Sequence, residues 1–167
     1  MMRINFSFFF YLFCSFLFII IQTSVIPTSS LGKFTPDLNL IIIIWLAIRP
    51  EIPNLFILAF LSGFLMDIFS AQNLGFHTVT RFIVFLGLWS SVHSFNYNPK
   101  KLSSLLVGFF AGTLLLYLLL LVLFLSKQVG QIEFFSVELA LYQAIINTVI
   151  GVPIVVLLRK LDGVTEA

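Results

Sequence analysis

From position 102 to position 125 the chain runs for two dozen residues without one charge, and Lys100 and Lys101 stand immediately before the run. At 1.5 Å per helical residue such a stretch is ~36 Å long, more than the ~30 Å of a bilayer's hydrocarbon. A 167-residue soluble domain has no interior large enough to hide it. Composition agrees: 60% of the residues are hydrophobic and 10% charged, where a soluble domain carries about a quarter charged. The chain therefore reads as a membrane protein. Its net charge of +2 is too small and too scattered for a nucleic-acid surface. The one cysteine, Cys14, excludes an intrachain disulfide.

Five further apolar segments punctuate the sequence, giving expected spans at 4–26, 36–49, 54–69, 74–92, 102–125 and 137–158. They leave little outside for an extramembrane domain, so the expected fold is a single integral domain, an all-α bundle of about six transmembrane helices. The first segment imitates a signal peptide. Its length, and the lack of an A-x-A-like site in Ser24-Val25-Ile26-Pro27, favour a retained helix. The second and third segments are short and separated by Arg49-Pro50-Glu51-Ile52-Pro53-Asn54, whose prolines cannot sit inside a helix. They read as two short spans, with a re-entrant hairpin as the other arrangement, and Arg49 is expected to snorkel. Pro36 suits a first helical turn, and Asp37 favours the positive end of the helix dipole.

Charge bias sets an orientation. With the N-terminus inside, Arg3, Arg49, Lys100, Lys101, Arg159 and Lys160 face the cytoplasm, against Lys33 and Lys127 outside. Both termini are therefore expected to be cytoplasmic.

Ionisable residues within a span are functional candidates by default. Asp67 and Arg81 lie near the outer ends of adjacent antiparallel segments, and the expectation is a salt bridge between them. His77, four residues before Arg81, reads as a hydrogen-bonded interfacial histidine, because no second ligand at helical spacing accompanies it. Gln143 and Asn147, at i and i+4, give the last span a polar face that must turn inward or toward a partner helix. Gln22 likewise needs a polar neighbour. Ser104, Gly108 and Gly112 form small-xxx-small steps for close helix approach, to another helix of this chain or to another protein. Ser62, Gly63 and Gly75 read the same way. No arrangement for covalent, acid–base, metal or cofactor chemistry is present, so the chain reads as a non-enzyme without cofactors.

Several of these residues recur in a pattern. Gln22 precedes a proline-bearing loop. Pro36-Asp37-Leu38 opens a run reaching Trp45-Leu46-Ala47-Ile48-Arg49-Pro50, and Ser62-Gly63-Phe64-Leu65-Met66-Asp67 is followed soon by Leu74-Gly75. Asn147 and Pro153 lead into Leu157-Leu158-Arg159-Lys160. This pattern, with the G-x-x-x-D element its most specific piece, resembles the bacterial rod shape-determining MreD family along nearly the whole chain. The resemblance implies a non-catalytic inner-membrane component of the complex that elongates the lateral cell wall. Its implied partners are the bitopic protein MreC, the MreB filament, and the peptidoglycan polymerase and transpeptidase. It also implies that Gly63, Asp67 and Gly75 shape the third–fourth hairpin, and Asn147 and Pro153 the last helix. The rival class is transport, since substrate-binding subunits of energy-coupling-factor vitamin transporters are similar in size and span count. Those dock through small residues on the first helix, whereas 4–26 here contains no Ala or Gly.

Overall fold

The computed structural model describes residues 6–25, 35–49, 54–70, 75–94, 101–126 and 137–165. Those residues form six helices and no strand: α1 (Phe6–Ile20), α2 (Leu38–Ile48), α3 (Leu55–Phe69), α4 (Phe76–Ser94), α5 (Leu102–Ser126) and α6 (Val137–Thr165). A π-helical turn, Ile21–Val25, prolongs α1. The expected turns at 27–34, 50–53, 71–74, 95–100 and 127–136 lie outside the described residues, as do Arg3, Lys33, Lys100 and Lys127.

α2 organises the bundle. Its sequence, LNLIIIIWLAI, is apolar on every side, and a helix of that kind has no face to give to solvent. Accordingly all eleven of its residues are buried, and it packs against each of the other five helices. At 1.5 Å per residue it is only ~16 Å long, about half a hydrocarbon thickness. Around it α3 pairs with α4 and α5 with α6, while α1 lies against α2 and α3.

The outer surface is inverted relative to a soluble protein. On α6, Val137, Leu141, Tyr142, Ile145, Val149 and Val156 are exposed, while Gln143, Asn147, Thr148 and Gly151 are buried. Phe9, Phe13, Phe60, Phe64 and Ile68 on α1 and α3, and Val107, Leu118 and Val122 on α5, are exposed as well. Apolar residues facing outward on every side, with amides and hydroxyls turned inward, suit a hydrocarbon solvent and not water. Among the described residues three helices are long and apolar enough to cross a membrane: α1 with its π turn (Ser7–Ser24), α5 (Leu102–Leu123) and α6 (Val137–Leu161). α2 and α3 are shorter.

Several boundaries differ from expectation. α2 starts at Leu38 and not at 36, because Asp37 caps it, so Pro36 precedes the helix and is not in its first turn. α4 begins at Phe76 and runs to Ser94, shifted from 74–92, because Gly75 adopts φ +93 and starts the helix behind it. α6 continues past Arg159 and Lys160 to Thr165. Pro153 does not end it: the residue lies on an exposed side of α6, whose helix runs on unbroken around it.

Candidate functional site

Polar side chains gather at the head of α2. Asp37 is its N-cap, and Asp37 Oδ1 accepts from the Leu40 amide at 2.9 Å. The same oxygen accepts from Gln22 Nε2 at 3.2 Å, and Gln22 Oε1 accepts from the Asn39 amide at 3.2 Å. Gln22 thus bridges two groups at the start of α2 from within the π turn. Asp37 Oδ2 takes Arg81 Nη2 at 2.6 Å. Arg81 Nη1 also lies 2.7 Å from His77 Nδ1. Arginine only donates, so Nδ1 must be the accepting, unprotonated ring nitrogen. From the other side, Asn147 Oδ1 accepts from the Asp37 amide at 2.8 Å, while Asn147 Nδ2 points to Thr113 Oγ1 at 3.4 Å. Gln143 Nε2 donates to the Thr35 carbonyl at 2.5 Å. The last helix's polar face therefore turns inward. Five helices meet here: the α1 extension, α2, α4, α5 and α6.

The expected Asp67–Arg81 salt bridge does not form. Asp67 Oδ1 accepts from the His77 amide at 2.7 Å, and Oδ2 accepts from the Gly75 and Thr78 amides, both at 3.0 Å, and from Thr78 Oγ1. The start of α4 has four amides without intrahelical partners, and a carboxylate borrowed from α3 satisfies three of them, those of Gly75, His77 and Thr78, where dipole and charge agree. Asp67 is thereby drawn to the start of α4. Arg81 turns to Asp37, the acid at the head of the central helix.

Gly63, four residues before Asp67 on the same face, explains the close approach. A Cβ there would stand 2.8 Å from Thr78 Cα and 3.2 Å from the His77 carbonyl, so α3 and α4 touch backbone to backbone. Gly75 supplies the left-handed φ that turns its amide onto Asp67. On α5, a Cβ at Gly112 would meet Ile44 of α2 and Leu88 of α4, which places this GxxxG glycine against helices of its own chain. Gly108 is buried on the same helix, facing a crevice it lines with Ile48 and Leu88. Pro36 lies just before the Asp37 cap, partly buried.

Two further polar clusters had weaker sequence signals. Asn39, a lone amide in the apolar α2 run, accepts from Ser15 Oγ at 3.2 Å and Ser62 Oγ at 2.5 Å, and donates to the Ser62 carbonyl at 3.3 Å. It ties α1, α2 and α3 together. At the opposite end of α2, the buried Tyr11 hydroxyl accepts from Trp45 Nε1 and Arg49 Nη1, both at 3.2 Å. The Arg49 and Arg159 guanidiniums lie 5.7 and 5.0 Å from the Trp45 ring centre. Arg49 is held by α1 at the negative end of α2. Among the described residues no three His, Cys, Asp or Glu side chains gather as a metal ion would require.

The structure defines an all-helical membrane protein whose polar residues are spent on joining helices around one buried core helix. Residues 2–161 match the family model of the rod shape-determining protein MreD. The chain belongs to that family, which makes it a membrane protein of the rod-shape-determining class. No curated protein and no solved structure matched the chain.

Proposed function

We propose that this chain is a non-catalytic, multi-pass component of the bacterial inner membrane that maintains rod shape within the cell-wall elongation complex. It binds an MreC-like bitopic protein and helps organise peptidoglycan synthesis with the MreB filament, the polymerase and the transpeptidase. The observation that carries this reading is the family match along 160 residues, from 2 to 161. The geometry is in keeping with it, since Asp37, Asp67, Arg81, Gln143 and Asn147 are engaged with other helices of the bundle. We place both termini in the cytoplasm and the single integral domain across the bilayer, on the six-to-two excess of Lys and Arg at that side. In that orientation the Asp37–Arg81 cluster lies toward the outer face and Arg49 and Arg159 toward the inner one.

Depletion in a rod-shaped host tests the function. Cells should round and widen, the wild-type gene should restore rods, and an MreC-like protein should co-purify in mild detergent. Depleted cells that stay rod-shaped while losing uptake of one vitamin would replace this reading with transport.

A further inference from the structure

A cavity of about 110 Å³ opens beside the head of α2, partly enclosed between α4, α5 and α6. Its walls are mixed. Leu40, Phe76, Leu116 and Leu120 are apolar, whereas Arg81, His77, Asp37 and Gln143 bring polar atoms. Arg81 is only 2% exposed, yet its Nε has no hydrogen-bond partner, and neither does the buried His77 Nε2. Because His77 Nδ1 accepts from Arg81, the proton of the neutral ring is on Nε2. Both orphan atoms are therefore N–H donors. Leaving such donors unmet in a low-dielectric site is costly, and the cost is recovered when an acceptor arrives.

We propose that this cavity binds an uncharged oxygen acceptor, a carbonyl or hydroxyl, carried on a small amphiphilic group. Charge selects the neutral form: the Arg81 guanidinium is already neutralised by Asp37 at 2.6 Å, so an anion would meet that carboxylate without a free positive charge to offset it. Size limits the group to a few heavy atoms, since the volume is well below the ~300 Å³ at which drug-sized pockets begin. The apolar walls favour an acceptor with a hydrocarbon neighbour. The glycerol-ester region of a lipid and a free polyol share this chemistry.

The test reads the Arg81 Nε–H and His77 Nε2–H resonances of the isotope-labelled full chain in dodecylphosphocholine micelles, whose headgroup has no carbonyl or hydroxyl, titrated separately with monoolein, glycerol and inorganic phosphate. A saturable shift of both resonances with monoolein alone identifies a lipid as the source. A shift with glycerol as well identifies a free neutral solute. Leu120→Trp, which fills the cavity from α5, should abolish the response. His77→Phe, which removes one donor, should weaken it about tenfold. Resonances that respond to neither neutral probe, or to phosphate only, would overturn the assignment. So would a response that survives in Leu120→Trp.

Discussion

The pairing of Arg81 with Asp37 can be measured against the pairing with Asp67 that sequence proximity favours. Arg81 is 2% exposed and Asp37 17%, so either charge left alone is poorly solvated. Removing one partner of such a buried pair costs about 3–5 kcal/mol. Arg81→Leu should therefore destabilise the bundle by about 3 kcal/mol, the low end, because Asp37 keeps Leu40 and Gln22 as donors. Asp37→Asn preserves a good N-cap but strands the guanidinium, and should cost a similar ~3 kcal/mol. The double variant strands neither charge. Its loss should fall short of the summed losses by about 2 kcal/mol, within the usual range for contacting residues. The parallel cycle of Asp67→Asn with Arg81→Leu should show clearly weaker coupling, as the two side chains make no direct bond and are linked only through His77. Reversible unfolding in mixed micelles with increasing dodecyl sulfate, followed by circular dichroism, supplies the free energies. Additive losses for Asp37 and Arg81, with coupling for Asp67 and Arg81, would refute the assigned partners.

Other expectations follow from the same packing. Gly63→Ala sets a methyl 2.8 Å from the Thr78 backbone, which cannot yield, and should cost about 1–3 kcal/mol by the same unfolding assay. Gly112→Ala meets side-chain carbons of Leu88 and Ile44 and no backbone, and should cost less; the reverse order would contradict the described α3–α4 contact. Asp67→Ala should lower stability by about 2 kcal/mol and Asp67→Asn by less, because an amide oxygen still caps some of the Gly75, His77 and Thr78 amides. Hydrogen exchange at those three amides should rise in the alanine variant first. A reporter fused after Ala167 should be active in the cytoplasm, and one inserted at 126–136 in the periplasm. Opposite activities would reverse the orientation.

Much of this protein was legible in one dimension. Apolar run length fixed the number of helices, because a backbone in hydrocarbon must satisfy its own hydrogen bonds and a helix does so within one segment. The inward turn of Gln143 and Asn147 was likewise readable as a requirement, since an amide cannot face lipid without cost. The G-x-x-x-D element pointed to the α3–α4 hairpin through the family resemblance it carries. Tertiary structure alone decided which partner each polar group took. Asp67 and Arg81 looked like neighbours along the chain, but the unpaired amides of α4 claimed the nearer acid, and Arg81 crossed to one 44 positions away. That α2 forms the centre, with Asn39 as its tie to α1 and α3, also needed three dimensions. An apolar run announces burial, whereas what surrounds it depends on how the other five helices pack, and helical spacing within one segment carries no information about that.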